Sequence, residues 1–281
     1  MLVALLRSAR AGNLPTIWSN TLVGVAIATS GGEPAQFATP LAALSLLYAG
    51  GMFLNDAADA GWDREHKPSR PIVQGLVSRR AVAVAAALCL SAGWGLCARA
   101  GVAPAIWASM LVAAIVAYNA FHKRTAWAVL LMAACRALVY PLAAAISTGA
   151  SSAGVWPASA AIAGATLLVT AAARREDIRG ASVSRALAWL VSAPYLIPLF
   201  ALGVGDPVWT AVAAGGLLAW SALAAHRARS GNIPAAVQGW IAGFCLGDSF
   251  LLALLGRPEL MPIAVACWGL TVIAQRRIPG T

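Results

Sequence analysis

The sequence predicts an all-α polytopic membrane protein with about nine to ten transmembrane helices. Hydrophobic residues make up 60% of the 281-residue chain and charged residues only 11%, whereas a soluble domain would carry about 25% charged residues. Apolar runs of roughly 20 residues, the length that crosses a bilayer core, recur along the whole chain. These runs are expected to be helical, because lipid offers no hydrogen-bond partners to an open strand.

Ten candidate spans are separated by joints that contain glycine and proline. They cover residues 15–32, 37–57, 79–99, 102–121, 126–148, 155–175, 186–204, 207–226, 234–255 and 258–275. The last span is short and starts at a proline, so the count is nine or ten. We interpret residues 1–281 as a single transmembrane domain of two half-bundles, at about 1–121 and 126–281, each with an acidic inner loop.

The basic residues are distributed unevenly between the two ends of these spans. If the N-terminus is cytoplasmic, 17 of the 20 lysines and arginines fall in inner segments. The positive-inside rule therefore places the N-terminus and the acidic loops in the cytoplasm, with a bacterial inner membrane as the expected location. The same distribution argues against a nucleic-acid partner despite the net charge of +10, because no single basic patch forms.

The five cysteines all fall inside apolar segments, and no Cys-x-x-Cys pair occurs. We interpret them as small core residues and predict neither disulfides nor a cysteine metal site.

An acidic stretch that begins at Asn55 closes the second apolar run. Offsets of 3, 4 and 7 put Asp56, Asp59 and Asp63 on one helix face if the helix continues through them. Three carboxylates on one face repel each other and favour a cation. Because the ligands are all oxygens, we predict a Mg²⁺ site with these aspartates as metal ligands and catalytic residues.

Basic residues follow the acidic stretch directly, among them Lys67 and Arg70. Carboxylates beside basic groups suit a diphosphate, because Mg²⁺ can bridge carboxylate and phosphate oxygens while lysine and arginine bind the remaining oxygens. The sequence therefore predicts a diphosphate-binding site at the inner end of the second span.

Two ionisable residues, Arg136 and Asp248, lie in the middle of predicted spans, where such residues often mark functional sites. Arg136 could bind a diphosphate or a polar acceptor from a cavity wall. Alternatively, it pairs with Asp248 as a structural salt bridge, or its charged end extends to the membrane interface. The three histidines, His66, His122 and His226, fall in inner loops, and we interpret them as solvent-exposed.

Three segments of the sequence resemble the UbiA superfamily of intramembrane prenyltransferases. The pattern Asn55-Asp56-x-x-Asp59-x-x-x-Asp63, followed by Lys67-Pro68-x-Arg70-Pro71, is similar to the first aspartate-rich motif of that family. Asn13 to Asn20 is similar to its first-helix segment, and Tyr118 to Lys123 to the end of its fourth helix. The Asn-Asp pair, an Arg-Arg-Glu-Asp stretch and a Gly-Asp-Ser stretch within a span look most like the EboC-type branch.

This resemblance implies a UbiA-like bundle around a lateral cavity open to lipid, with Mg²⁺ and an isoprenyl diphosphate bound by two Asp-rich motifs. It implies that Asn20 faces the cavity. It also implies substrate-binding roles for a larger set: Asn55, Lys67, Arg70, Tyr118, Lys123, Arg136, Arg175, Glu176 and Asp177. Asp177 would be a further metal ligand.

The second motif departs from the family pattern. Where Asp-x-x-x-Asp is expected, Asp177 is followed four residues later by Ala181. Several functions therefore stay open. The leading hypothesis is a prenyltransferase that carries an isoprenyl group, through an allylic cation, to a lipid or small-molecule acceptor. The alternatives are a terpene cyclase, a transferase that uses a sugar diphosphate, and a non-catalytic carrier or assembly subunit.

Overall fold

A computed structural model describes residues 2–29, 35–174 and 189–278, and within these ranges all regular secondary structure is helical. Short 3-10 turns precede several of the α-helices. We number the helices α1 Leu2–Ser8, α2 Leu14–Ala28, α3 Ala35–His66, α4 Arg79–Ala100, α5 Val102–Phe121, α6 Ala128–Ala137, α7 Val139–Thr148, α8 Trp156–Ala173, α9 Leu196–Leu202, α10 Pro207–Arg229, α11 Ile233–Leu254 and α12 Met261–Arg277.

The predicted fold class is confirmed. In the part of the chain that the structure describes, eight helical segments are long and apolar enough to cross a membrane: Gln36–His66, Arg79–Ala100, Val102–Phe121, Ala128–Thr148, Ala153–Ala173, Pro207–Arg229, Ile233–Leu254 and Pro258–Arg277. The first predicted span overlaps the 15-residue α2, and the seventh contains the shorter apolar segment Ala193–Leu202. The division into two half-bundles stays a prediction.

Helix α3 is longer than the span predicted at 37–57. It continues without interruption to His66, over 32 residues. Asn55 and the three aspartates therefore lie on a helix, as the 3, 4 and 7 spacing requires. Beyond His66, local hydrogen bonds from the Lys67 amide to the Asp63 carbonyl and from the Arg70 amide to the Lys67 carbonyl form a turn. The Arg70 side chain contacts α3 again, at Asp56 and Asp63.

Capping residues explain where three of the helices begin. The side chains of Ser78, Asp206 and Asn232 accept hydrogen bonds from backbone amides in the first turns of α4, α10 and α11. Proline then occupies the first turn of α10 at Pro207 and of α11 at Pro234. A polar cap satisfies amides that have no partner inside the helix, and proline needs no such partner.

Helices α2 and α11 form the centre of the bundle. Eleven of the 15 residues of α2 and 17 of the 22 residues of α11 are buried. Helix α2 packs against α3, α7, α11 and α12. Small residues allow this close approach, because a Cβ atom at Gly24 would lie 2.7 Å from the Cβ of Ala143 and 2.7 Å from the carbonyl oxygen of Tyr140, both on α7.

We expect Gly24→Ala to lower the stability of the folded bundle by about 1–3 kcal/mol, because the new methyl group would push α2 away from α7. Thermal unfolding of the purified protein in detergent measures this change. Gly215→Ala in α10 is the matched control, since a Cβ there meets no atom within 4 Å. The control should unfold at or above the wild-type temperature, because alanine is the better helix former. Equal unfolding temperatures for Gly24→Ala and the wild type would contradict the close packing.

Candidate functional site

A cavity of about 610 Å³ opens between the helices. Its walls come from α2, α3, α5, α6, α7, α8, α11 and α12 and from the turns beside them. The charged residues that line it are Arg10, Asp59, Asp63, Lys67, Arg70, Lys123, Arg136 and Arg174. Most of the other lining residues are apolar, so the cavity combines a charged part with a hydrophobic part.

The two parts are arranged along single helix faces. On α3 the lining residues run from Leu44 and Leu47 to Asp59 and Asp63, a distance of roughly 28 Å at 1.5 Å per residue. Helix α5 repeats the pattern, with an apolar residue at Ile115 and polar residues near its C-terminal end. We call the charged end, formed by Asp59, Asp63, Lys67, Arg70 and Lys123, the cavity mouth.

An arginine from the loop after α3 neutralises two of the aspartates. Nη1 of Arg70 donates a hydrogen bond of 3.2 Å to Oδ1 of Asp56, and its Nε lies 3.8 Å from Oδ2 of Asp63. All three side chains are buried. Burial and the nearby Arg10 guanidinium lower the pKa of Arg70 from its ordinary value, and the carboxylates raise it in part. Arg70 thus provides a cation between Asp56 and Asp63.

The third aspartate is paired with a different set of residues. Nε2 of His122 lies 3.0 Å from Oδ1 of Asp59, and Nζ of Lys123 lies 3.7 Å from Oδ2. The Lys123 ammonium also lies 3.5 Å from the ring centroid of Trp62, in a cation–π contact. Asp59 is therefore held on the α5 side of the mouth, away from the pair that shares Arg70.

The interpretation of His122 as a solvent-exposed loop residue is wrong. Its side chain is only 10% exposed and lines the cavity, because the C-terminal end of α5 packs against α3. One sequence signal could have identified it. His122 follows Tyr118 by four residues, so the two share a helix face, and their rings stack with centroids 4.8 Å apart.

Arg10 and Asn119 also line the cavity, and sequence reasoning assigned no site role to either. Nη2 of Arg10 donates to Oδ1 of Asn55 (2.9 Å), and Nδ2 of Asn55 donates to Oδ1 of Asn119 (3.0 Å). Arg10 has φ 45°, in the left-handed region that non-glycine residues rarely adopt. Asn55 is thus fixed between the N-terminal segment and α5.

The carboxylates fit Mg²⁺ by donor type. Asp59 and Asp63 line the cavity, and Oδ2 of Asp56 is buried with no hydrogen-bond partner among the described residues. Carboxylate oxygens are the ligands that Mg²⁺ prefers. Their positions do not form one ligand group, however, because the described residues contain no cluster of three or more His, Cys, Asp or Glu placed to hold a metal. Arg70 and His122 separate the three aspartates into two sets.

The predicted residues of the second motif, Arg175, Glu176 and Asp177, lie outside the described residues, as does Ala181. The preceding residue, Arg174, is described. It lines the cavity and donates hydrogen bonds to the carbonyls of Thr125 and Ala126 (3.0 and 2.9 Å).

Of the remaining predicted substrate-binding residues, the structure brings Asn55, Lys67, Arg70, Tyr118, Lys123 and Arg136 to the cavity wall.

Arg136 and Asp248 belong to one buried network but form no direct ion pair among the described residues. Asn20 connects them, because its Oδ1 accepts from Nη1 of Arg136 (2.8 Å) and its Nδ2 donates to Oδ2 of Asp248 (2.7 Å). Ser19 and Tyr140 also donate to Asp248, at 2.6 and 2.5 Å. The salt-bridge alternative is therefore wrong. Asn20 is fully buried behind the cavity wall instead of facing the cavity.

We expect Arg70→Gln to destabilise the protein by about 3–5 kcal/mol, because it leaves two buried carboxylates without their counter-charge. Mg²⁺ should restore part of this loss, since its charge can replace that of the guanidinium. Thermal unfolding in Mg²⁺ and in EDTA measures both effects, with Arg64→Gln, an exposed arginine at the end of α3, as the control. If Mg²⁺ stabilises Arg70→Gln no more than the control, the aspartates do not bind the cation.

Asp248→Ala should destabilise the protein more than Asp248→Asn. Alanine removes the carboxylate that accepts from Ser19, Asn20 and Tyr140. The Tyr140 hydroxyl then has no acceptor among the described residues, and an unsatisfied buried group of this kind costs about 1–3 kcal/mol. Asparagine keeps one acceptor oxygen. The free energy of unfolding in denaturant tests the order. Ser159→Ala is the control, because that buried hydroxyl has no hydrogen-bond partner among the described residues. Equal values for all three variants would mean that the network adds no stability.

Three solved structures share this fold. The apo structure of a UbiA homologue from Aeropyrum pernix K1 has a TM-score of 0.66 at 19% identity, over 91% of this chain and 96% of that chain. A UbiA homologue from Archaeoglobus fulgidus bound to GPP and Mg²⁺ has a TM-score of 0.54 at 15% identity, over 96% and 99%. A structure described as digeranylgeranylglyceryl phosphate synthase has a TM-score of 0.63 at 17% identity, over 92% and 99%. No curated protein matches the chain.

The sequence match to a family model decides the relationship. The model for the UbiA prenyltransferase family matches residues 17–238, which is well over half of the chain. This match confirms the resemblance to the UbiA superfamily, whereas the closer likeness to the EboC-type branch stays a prediction. Together with the apolar helices, the match identifies an integral, multi-pass membrane protein. The chain belongs to the UbiA prenyltransferase family.

Proposed function

We propose that this protein is a Mg²⁺-dependent membrane transferase that moves an isoprenyl group from a prenyl diphosphate to an acceptor. The observation that carries the proposal is the cavity of about 610 Å³, with a charged mouth at one end and apolar walls beyond it. A prenyl diphosphate has the same two-part character. The donor would place its diphosphate at the mouth and its hydrocarbon chain among the apolar walls.

Three basic side chains at the mouth, Lys67, Arg70 and Lys123, are available to bind the diphosphate. Charge-assisted hydrogen bonds from arginine and lysine to phosphate are among the stronger polar contacts in proteins. These groups would stabilise the negative charge that grows on the diphosphate as it leaves, which is electrostatic stabilisation and needs no proton transfer. Arg175 would add to them.

The apolar walls would hold the hydrocarbon chain and exclude water from the reactive carbon. Leu44, Leu47 and Ile115 contribute aliphatic surface. Tyr118 and Phe244 contribute aromatic rings to the wall, and the face of an aromatic ring attracts a cation. An allylic cation formed in this cavity would be shielded from solvent until the acceptor captures it.

Asp56, Asp59 and Asp63, assisted by Asn55, are the residues that would hold Mg²⁺, with Asp177 as an expected further ligand and Glu176 beside it. When bound, Mg²⁺ would neutralise part of the charge on the leaving diphosphate. The donor type of the aspartates supports this assignment, as does the Archaeoglobus fulgidus homologue bound to GPP and Mg²⁺. Arg70 and Lys123 would shift from the carboxylates to the diphosphate oxygens.

The proposed step breaks the allylic carbon–oxygen bond, and both electrons of that bond leave with the diphosphate. The nucleophilic atom of the acceptor then forms the new bond to the allylic carbon and gives up its proton to the released diphosphate. The acceptor is a lipid or a small molecule that reaches the cavity from the bilayer. The positive-inside count favours a mouth on the cytoplasmic side.

The test is diphosphate release by the purified protein, supplied with Mg²⁺ and a panel of prenyl diphosphates. We expect release with the wild type and a loss of about 10²-fold in Asp59→Asn, the usual size of effect when one electrostatic stabiliser is removed. Asp206→Asn is the matched control, because Asp206 caps α10 away from the cavity and asparagine caps equally well. Release that Asp59→Asn leaves unchanged would contradict the proposal.

The same assay separates the alternatives. A prenyl diphosphate that binds but is not cleaved would favour a non-catalytic carrier or assembly subunit, which the departure at Ala181 motivates. In that case, turnover gained by Ala181→Asp would show that the second motif is the missing part. Cleavage that yields a cyclised hydrocarbon would favour a terpene cyclase.

A further inference from the structure

Arg136 lines the cavity and leaves one edge of its guanidinium group without a partner among the described residues. Its two hydrogen bonds to described residues both use Nη1, which donates to Oγ1 of Thr16 (3.1 Å) and to Oδ1 of Asn20 (2.8 Å). Nη2 and Nε have no hydrogen-bond partner among the described residues, and the side chain lines the cavity. The Nε–Nη2 edge is the one that binds a carboxylate or phosphate through two parallel hydrogen bonds.

The rest of the network holds this edge in a fixed direction. Asn20 cannot rotate freely, because its Nδ2 donates to Oδ2 of Asp248 and lies 3.3 Å from the Tyr140 hydroxyl oxygen. Residues of α2, α6, α7 and α11 therefore cooperate to position one guanidinium group. Cζ of Arg136 also lies 5.2 Å from the ring centroid of Phe244, which restricts the side chain from another direction.

Arg136 lies deeper in the cavity than the residues assigned to the donor diphosphate. It is eight residues beyond Ala128, where α6 begins, which is about 12 Å along the helix. Lys123, at the mouth, precedes α6. The cavity residues nearest to Arg136 in the chain, Cys135 and Val139, are not charged. Two nitrogens of this arginine have no partner among the described residues, and at this depth they favour an anionic ligand, because lipid and apolar side chains cannot accept their hydrogen bonds.

The charge balance of the cavity leaves room for a second anion. Of its described lining residues, six are basic and two are acidic. Residues 175–188 carry three arginines and two acidic residues, so this segment does not reverse the excess. The diphosphate of a donor carries about three negative charges, two on the outer phosphate and one on the inner. With one Mg²⁺ bound, and with Asp56, the buried partner of Arg70, counted as a third acidic group, a surplus of about two positive charges remains.

We propose that Arg136 binds an anionic group of the acceptor, a carboxylate or a phosphate, and that the acceptor of this protein is therefore an anionic molecule. This inference rests on the proposed function, which supplies the donor at the mouth. Arg136 is a specificity-determining residue in this scheme. Its hydrogen bonds to the anionic group would place the nucleophilic atom of the acceptor between the guanidinium and the allylic carbon.

Binding of matched small probes tests the inference. The purified protein is first saturated with inorganic diphosphate and Mg²⁺, and the binding of that diphosphate is measured. Benzoate, phenyl phosphate and neutral benzamide are then titrated by calorimetry. We expect benzoate or phenyl phosphate to bind at least about tenfold more tightly than benzamide, as a two-point charged contact should provide. The preferred anion identifies the group as a carboxylate or a phosphate.

Arg136→Gln should remove this preference and leave diphosphate binding intact. Arg136→Lys should keep part of it, because the charge remains but the two-point geometry is lost. Arg99→Gln, an exposed arginine at the end of α4, is the matched control and should keep all of it.

The comparison of anionic probes with benzamide uses the wild-type protein alone, so it remains a valid test even if Arg136→Gln fails to fold. No preference in the wild type, or a preference that survives in Arg136→Gln, overturns the inference while diphosphate binding still supports the proposed function. A loss of preference in Arg136→Gln without any diphosphate binding would instead support the anion subsite and contradict the donor site.

Discussion

Charged groups that a membrane bundle buries must find partners inside the protein, because lipid supplies none. The ion pairs of Arg70 with Asp56 and Asp63 meet this constraint at the mouth, at 3.2 and 3.8 Å. Asp248 meets it in the middle of α11 by accepting three hydrogen bonds. The Arg70 pairs join the loop after α3 to that helix, and the hydrogen bonds of Asp248 join α11 to α2 and α7.

The pairings at the mouth also suit the proposed chemistry. Each of the three described carboxylates that would bind Mg²⁺ lies beside a cation of the protein, and Arg70 and Lys123 are the same groups that would bind the diphosphate. An exchange of partners, metal to carboxylate and basic group to phosphate, would change the total charge of the buried mouth only slightly. Burying uncompensated charge costs free energy, so such an exchange lowers the free-energy cost of binding the prenyl diphosphate.

The deeper part of the cavity differs from the mouth in its polarity. Its described walls are mostly apolar, and among the described residues there Arg136 is the charged one, held by Asn20 and Phe244. One polar anchor in an apolar wall fixes the orientation of a ligand while the surrounding surface provides affinity. In the proposed function, the mouth would bind the donor and the Arg136 edge would bind the acceptor.

The amino-acid sequence by itself determined the all-helical membrane fold, most of the span positions and the face shared by Asp56, Asp59 and Asp63, because hydropathy and helical spacing are local properties of the chain. Only the tertiary structure decided which partners these residues take. Asp59 contacts His122, 63 positions away, and Asn20 contacts Asp248, 228 positions away. Such contacts depend on the angle and depth at which helices pack, which no local pattern encodes. For that physical reason His122 and Arg10 were not recognised as site residues from the sequence, Asn20 was placed on the wrong side of the cavity wall, and three aspartates on one face were resolved into two separate sets.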